Sequence, residues 1–275
     1  MFDLFDEDLD EMTLVEGALA LNHAINSDID INWVKSELDS LFTQIEDALS
    51  LFVSKQKEIN EQERFAAFVQ YFYADLGFCG DKDAYFSSEN VFIDKVLKRR
   101  KGIPVSLGAL FIYFANKLGF PVKGVTFPTQ LLVKLEWQDQ QPLYINPYNG
   151  EYVSKRVLAA WLIGHQGPLA KLKPEHLQAA DHPTIIGRWL AVIKSALLRE
   201  ERYTLALKCT NLALTFVPDD PYEIRDRGFI YQQLDCHQIA KIDYQFFIEQ
   251  CPEDPAADLL KSQLTALEQN PVTIH

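Results

Sequence analysis

Positive charge is scarce in this sequence. Lysine and arginine together number 26 against 39 aspartate and glutamate residues, which gives a formal net charge of −13 and a pI of about 4.9. A field of that sign repels phosphate, so the composition argues against a general nucleic-acid or anionic-membrane binder. The basic run Lys98–Lys101 ends a predicted helix, where cations complement the helix dipole and need no ligand.

Cysteine is scarce too, and its spacing does not suit a metal site. The four cysteines form no C-x-x-C pair, and together with the six histidines they make no zinc-type cluster. We therefore expect neither a metal nor a cofactor. We also predict that the cysteines are small core residues in a reducing compartment.

Long apolar runs and a secretion signal are missing as well. No run reaches the roughly 18 apolar residues that a membrane helix needs. The first twelve residues, MFDLFDEDLDEM, are acidic rather than basic and then apolar, which is typical of a solvated terminus and not of a signal peptide. These absences predict a cytoplasmic protein without a membrane partner.

Hydrophobic residues make up 48% of the chain, and their spacing changes along it. Steps of three and four residues indicate helices, whereas Val133, Leu135 and Trp137 alternate with polar residues as in a half-buried strand. The pattern predicts helices over 11–26, 31–54, 60–77, 89–99, 106–118 and 154–164, a loop over 78–86, and strands over 121–126, 130–137 and 143–145.

The last third of the sequence contains an internal repeat. Residues of similar type recur 34 positions apart, and a helix–turn–helix unit of that length with proline closing its second helix is the tetratricopeptide signature. Small residues stand where the helices should touch, and residues 256–268 predict a capping helix. The matched pairs are Ala206 with Ala240, Leu214 with Ile248, Pro218 with Pro252, and Asp219-Asp220-Pro221 with Glu253-Asp254-Pro255.

These patterns together predict an α+β chain that is mostly α-helical. Residues 1–164 form a helical domain with a small antiparallel sheet. The segment 165–183, rich in glycine and proline, is the predicted connection. Residues 184–275 form an α–α tetratricopeptide array with its cap, and this array either offers a binding groove or buttresses the first domain.

One block of the sequence reads Arg-Arg-x-Gly-x-Pro-x-Ser-Leu, and further positions support it by their order and spacing. These residues are Asn90, Val96-Leu97, Arg99-Arg100, Gly102 to Leu107, Leu118-Gly119, Gly124-Val125, Phe127-Pro128, Asn146-Pro147 and Gly150. In these residues, and most of all in the block, the chain resembles the bacterial SirB-type proteins, in which a transglutaminase-like (papain-like) domain precedes tetratricopeptide repeats.

The resemblance implies where a catalytic triad would stand. Transglutaminase-like enzymes carry cysteine at a helix N-terminus, a histidine base on the next strand and an orienting aspartate one strand later. By position these become Ser106, Gln130 and Asn146. The SirB pattern has serine at the first point, but Pro-Gly-His-Phe and Asp-Pro at the others. This chain departs further, with Pro-Thr-Gln-Leu over 128–131 and Asn-Pro over 146–147.

The substitutions remove the acid–base chemistry of a triad. A serine hydroxyl needs a base to become nucleophilic, and a glutamine amide cannot accept its proton. His165, His176 and His182 lie after the sheet and are interpreted as surface or capping residues. We therefore expect a pseudoenzyme without catalytic residues, in which Ser106, Gln130 and Asn146 mark a vestigial site.

The leading functional prediction is a non-catalytic protein-interaction or regulatory protein. Its protein partner would bind the repeat surface around Arg225, Arg227 and Tyr231, or the old cleft. The alternative is a hydrolase or acyltransferase that uses Ser106 with an unconventional base. A third interpretation is a small-molecule site in the cleft, and its lining would be Phe127, Leu131 and Tyr148.

Overall fold

The chain forms two compact units in a computed structural model that describes residues 12–269, with side chains described as far as residue 265. The first unit extends through Trp189, and the second begins at Leu190. The acidic N-terminal run that the sequence predicts to be solvated lies outside the described residues. The predicted fold class is confirmed, because a mostly helical α+β unit precedes a unit built of helices alone.

The first unit begins with four α-helices, and side-chain caps start three of them. Thr13, Asp30 and Asn60 each accept a backbone N–H three residues on, as N-cap residues do. The third helix passes into a π-helical turn over Tyr71–Asp75, so the predicted helix over 60–77 is divided. The helices are α1 (Leu14–Ile25), α2 (Ile31–Ser54), α3 (Glu61–Gln70) and α4 (Ile93–Arg99).

Helix α5 (Pro104–Lys117) packs against a four-stranded antiparallel sheet. It begins two residues before Ser106, because proline at the first helical position brings a suitable φ and lacks an N–H that would be unpaired there. The loop predicted over 78–86 contains a short strand that pairs in parallel with another before α5. The strands are β1 (Cys79–Gly80), β2 (Lys101–Gly102), β3 (Val122–Thr126), β4 (Leu131–Leu135), β5 (Leu143–Asn146) and β6 (Glu151–Tyr152).

The first unit also includes the segment that the sequence assigns to a connection. After α6 (Lys155–Gln166) the chain makes a 3-10 turn over Pro174–Leu177, and Leu177 is buried in an apolar cluster with residues of the sheet and α6. The Ala180 N–H donates to the Gly124 carbonyl at the outer edge of β3, at 2.9 Å. Leu177 and Ala180 therefore anchor the segment 165–183 to this unit, although most of its residues are exposed.

The second unit shows the 34-residue period directly in its backbone. Glu201 and Asp235 both adopt the left-handed conformation, with φ of 55° and 59°. In each turn the next residue's N–H donates to the carbonyl five residues before it, at 2.9 Å and 2.8 Å. The tetratricopeptide prediction is confirmed by this repetition and by the helices α7 (His182–Arg199), α8 (Tyr203–Phe216), α9 (Pro221–Gln233), α10 (His237–Gln250) and the cap α11 (Pro255–Gln269).

Small residues allow the repeat helices to approach closely, as the sequence predicts. Gly228 of α9 faces α10, where a β-carbon on it would lie 2.9 Å from ring carbons of Tyr244 and 3.0 Å from Cβ of Asp243. Ala206 and Ala240 are fully buried. Real β-carbons do not approach other atoms to 2.9 Å, so only glycine fits at position 228 without movement of α10.

Replacement of Gly228 by alanine should therefore destabilise the second unit. Overpacking costs about 1–3 kcal/mol, which offsets or exceeds the roughly 1 kcal/mol that alanine gains in helix propensity. The control is Gly187→Ala in α7, where a β-carbon meets open space and only the propensity gain remains. Urea unfolding followed by circular dichroism should show a loss for Gly228→Ala and a gain for Gly187→Ala; equal gains would contradict the close approach.

Candidate functional site

A polar network connects the loop after β1 and the end of α4 to the start of α5. Arg99, the last residue of α4, is at its centre. The guanidinium of Arg99 donates from Nη2 to Oδ2 of Asp81 at 2.6 Å and from Nη1 to Oδ1 of Asn90 at 3.0 Å. Asp81 is 2% exposed and Asn90 is fully buried. Because these groups are removed from water, each depends on the others for its hydrogen bonds.

The Asp81 carboxylate is held in its charged form by this network. Burial alone would raise the pKa of Asp81, but the hydrogen bond and charge of Arg99, together with the N–H groups of Asp83 and Ala84, lower that pKa below its usual value. The Asp81 side chain therefore closes the turn after β1 and pairs Arg99 at the same time.

Ser106 belongs to the same network. Its hydroxyl donates to the Asn90 carbonyl at 2.6 Å and accepts from the Ile103 N–H at 3.2 Å, and the residue is fully buried. Gly102 leaves the necessary room, because a β-carbon there would lie 2.7 Å from Oγ of Ser106. The Ser106 hydroxyl thus joins the end of the 81–90 loop to the first turn of α5.

Gln130 and Asn146 form a second polar group at the sheet. β4 and β5 are antiparallel, so the start of β4 and the end of β5 lie at the same end of the sheet. Nε2 of Gln130 donates to Oδ1 of Asn146 at 2.9 Å, and the Tyr148 N–H donates to the same oxygen at 3.1 Å. Both side chains are half-buried and so partly open to solvent, and the surface around them, at the position of the predicted cleft, is called the cleft below.

The structure brings Gln130 and Asn146 together and directs Ser106 elsewhere. Gly108 marks the face of α5 that packs on the start of β4 and on the turn after β5. A β-carbon at Gly108 would lie 2.8 Å from the side chain of Leu131 and 3.3 Å from that of Pro147. Ser106 is two residues earlier and so lies about 200° around the helix. Throughout the described chain, no hydrogen bond joins Ser106 to either amide.

Comparison with known proteins places the two units in known families. Residues 32–191 match the family model of the transglutaminase-like superfamily, and residues 193–265 match that of the tetratricopeptide repeat. The chain is 63% identical to a UPF0162 protein of Vibrio cholerae over the full length of both. It is 35% identical to protein SirB1 of Salmonella typhimurium and 36% identical to UPF0162 protein YchA of Escherichia coli K12, again over both full lengths.

The chain belongs to the SirB1 and UPF0162 family. The resemblance to SirB-type proteins is thereby confirmed. No solved structure matches the chain.

The residues of the SirB-type block have a structural role in the buried network. Its arginine, glycine and serine correspond to Arg99, Gly102 and Ser106, which hold one another in the buried network. The following arginine, Arg100, has a left-handed φ of 55° and donates to Glu37 at 2.7 Å. Lys98 lies 4.5 Å above the ring of Trp33. Three of the four cations in the basic run therefore have partners within this unit.

Three residues near Gln130 and Asn146 carry no sequence signal of their own: Arg188 of α7, and Tyr85 and Tyr148 in loops. Arg188 donates to the carbonyls of Phe127 and Pro128, at 2.5 Å and 3.2 Å, and so fixes the turn that presents Gln130. The ring of Tyr148 packs on Gly80, and its centroid is 6.0 Å from that of Tyr85. Burial raises the pKa of both tyrosine hydroxyls, so they remain protonated donors.

Two further predictions, one on the lining of the cleft and one on the cysteines, differ from what the structure shows. Phe127 and Leu131, predicted to line a small-molecule cleft, are buried in the core, and only Tyr148 of that trio stands at the cleft. The prediction that all cysteines are core residues is wrong for Cys79 and Cys236, which are exposed. Cys209 is buried, and burial raises the pKa of its thiol to about 12.

The predicted repeat-surface residues are partly engaged within the second unit. Arg227 makes a two-pronged ion pair with the buried Asp243, at 2.7 Å and 2.8 Å. Arg225 donates to its neighbour Asp226 at 2.8 Å, and Tyr231 packs against the apolar cluster of α10 and α11. Charge reversal at Arg227 would therefore break an internal pair as well as change the surface.

The described residues offer no metal site and no membrane-spanning helix, and two of their histidines contact backbone groups. Residues 12–269 hold no group of three histidine, cysteine, aspartate or glutamate side chains suited to a metal ion, and none of their helices is long and apolar enough to cross a membrane. His176 accepts the Lys173 N–H at 3.3 Å, and Nδ1 of His182 is 2.7 Å from the Met12 carbonyl. Both histidines thus contact backbone.

Asp81→Asn should destabilise the first unit in a pH-dependent manner. Loss of the charge leaves Arg99 without its closest partner, and because Arg99 is partly exposed we expect a loss of roughly 2 kcal/mol at pH 7. The folded pKa of Asp81 is lowered, so its stabilisation is present above the unfolded value of about 3.9 and is lost as pH falls through the folded value.

Urea unfolding between pH 7 and pH 3 measures this difference. The gap between the native chain and Asp81→Asn should stay constant down to about pH 5 and shrink below about pH 4. Asp83→Asn is the matched control, because Asp83 is an exposed carboxylate in the same loop. A gap that persists unchanged at pH 3, or an equal effect of the control, would contradict the role of Asp81.

Proposed function

We propose that this SirB1-family chain is a non-catalytic protein-interaction protein with a regulatory role in the cytoplasm. A degenerate transglutaminase-like domain would supply one binding surface and the tetratricopeptide repeats another. The observation that carries the proposal is the state of Ser106. Its hydroxyl is buried, donates to a backbone carbonyl and lies on the side of α5 away from Gln130 and Asn146.

The chemistry of the cleft supports the same conclusion. Gln130 and Asn146 are neutral amides that neither accept a proton at physiological pH nor stabilise an imidazolium. A hydrolase or acyltransferase that used Ser106 would have to break the hydrogen bond to Asn90 and find another base, and no contact of Ser106 favours this alternative. The names of the similar proteins, SirB1 and UPF0162, specify no reaction.

The repeat unit supports an interaction role through one face of α9. Tyr222, Arg225 and Phe229 stand at steps of three and four residues and so share a side of the helix. Tyr222 is 48% and Phe229 is 42% exposed, which makes this side apolar with one flanking cation. An exposed aromatic pair of this kind suits a protein partner rather than a nucleic acid, which the net charge of −13 repels.

Capture of partners from native lysate tests the proposal. The full-length tagged chain is compared with Phe229→Lys, which places a charge on the apolar side of α9 and spares the Arg227–Asp243 pair. The matched control is Ile242→Lys on α10, since Ile242 is also exposed, at 64%. We expect a specific protein that the native chain and the control retain and that Phe229→Lys loses at least about tenfold, equivalent to about 1.4 kcal/mol.

Two results would count against this assignment. Equal capture by all three chains would remove α9 as the binding face, although it would leave an interaction function. The absence of any specific protein partner would contradict the proposed function itself. Circular dichroism of each variant must match the native chain, so that a lost partner reports the surface and not the fold.

A further inference from the structure

The Gln130–Asn146 pair has hydrogen-bonding groups that its neighbours leave unused. The Tyr148 N–H can only donate, so the Asn146 atom that faces it is the carbonyl oxygen. Gln130 must then present its NH2 to that oxygen. Among the described residues, no hydrogen bond uses Oε1 of Gln130 or Nδ2 of Asn146. The pair therefore leaves one carbonyl acceptor and one amide donor for another molecule.

Both amides are held in place before any ligand arrives. Two contacts fix the turn before Gln130. The Gln130 N–H donates to the Phe127 carbonyl, and Arg188 donates to the carbonyls of Phe127 and Pro128. Asn146 is fixed by the Tyr148 N–H, and the next carbonyl, that of Pro147, accepts from the Tyr73 hydroxyl at 2.9 Å. Groups that are already ordered lose little entropy on binding, so such a pair favours recognition.

The surroundings favour an uncharged ligand. Tyr148, whose N–H donates to Asn146, has its ring 6.0 Å from that of Tyr85, and Tyr85 is 37% exposed. Arg188 already serves two carbonyls, and Asp81 is paired with Arg99. Asp83 is an exposed carboxylate close enough to Tyr148 to raise its pKa, so a ligand carboxylate would meet like charge there. A flat neutral group with one donor and one acceptor fits these conditions.

We propose that the Gln130–Asn146 pair is a binding site for an uncharged amide of a peptide, with the amide N–H donating to Oε1 of Gln130 and its carbonyl accepting from Nδ2 of Asn146. Tyr85 and Tyr148 flank the site. The amide belongs either to an asparagine or glutamine side chain or to the peptide backbone. This inference deepens the proposed function, since it names the chemistry that a partner would present to the first unit.

Three short peptides test the chemistry. The probes are acetyl-Gly-Gln-Gly-N-methylamide, its Glu counterpart and its Gly counterpart, and each is titrated to millimolar concentration into the full-length chain. Proton–nitrogen NMR spectra follow the side-chain amide signals of Gln130 and Asn146. We expect saturable shifts with the Gln peptide. If the amide is that of a side chain, the Glu peptide, which replaces the donor by a charge, should bind at least about tenfold more weakly.

Variants establish that the pair itself binds. Asn146→Asp keeps an oxygen that accepts from Gln130 and Tyr148 and replaces the free NH2 donor by a charged acceptor oxygen, so the fold should persist while binding of the Gln peptide falls at least about tenfold. Gln130→Leu should have a similar effect. Gln141→Leu is the matched control, because Gln141 is exposed in the loop between β4 and β5.

The outcomes separate the two sources of the amide. Binding of the Gln peptide alone assigns a side-chain carboxamide, and equal binding of the Gln and Gly peptides assigns the backbone. No shift at Gln130 or Asn146, or binding that Asn146→Asp leaves unchanged, would overturn the inference. That failure would leave the proposed function standing if lysate capture through α9 succeeds, so the two proposals fail independently.

Discussion

The hydrogen-bonded ion pair between Arg99 and Asp81 is the interaction on which the first unit depends. Through Asn90 and Ser106 it connects the loop after β1, the end of α4 and the first turn of α5. Arg99 is partly exposed and also lies 3.4 Å from Glu89, so loss of Asp81 should cost less than the roughly 3–5 kcal/mol typical of a fully buried pair, but it leaves Arg99 without its closest partner. The residues that most resemble a catalytic signature are therefore also those that hold these elements together.

The three residues at the triad positions lie in two different environments. Ser106 supplies a buried hydroxyl to the network, whereas Gln130 and Asn146 remain at the cleft as a neutral hydrogen-bonded pair. A neutral amide pair avoids the cost of a buried charge. Two amides offer hydrogen-bonding groups but no base at physiological pH, which is the basis of the proposed binding role.

The sequence predicts the repeats well because each position of the period has its own physical requirement. A left-handed turn recurs 34 residues apart at Glu201 and Asp235, and an aspartate cap recurs at Asp220 and Asp254. The close approach of two helices is marked by Gly228. The orientation of Ser106 is harder to predict, since alignment by position ignores the rotation of about 100° per residue. Gly108, which has no side chain and faces Leu131 and Pro147, was the available signal. Asp81 and Arg188 contact residues that are distant in the sequence, so no local sequence pattern reveals their roles.

The most direct test of this account is the reactivity of a thiol placed at position 106. In Ser106→Cys, alkylation by iodoacetamide is followed at peptide resolution by mass spectrometry, with the exposed Cys79 and the buried Cys209 as internal standards. A thiol in the buried network should react as slowly as Cys209, because burial disfavours its thiolate. Alkylation faster than that of Cys79, with a lowered pKa, would show an accessible and activated helix N-terminus and would contradict the structural role assigned to Ser106.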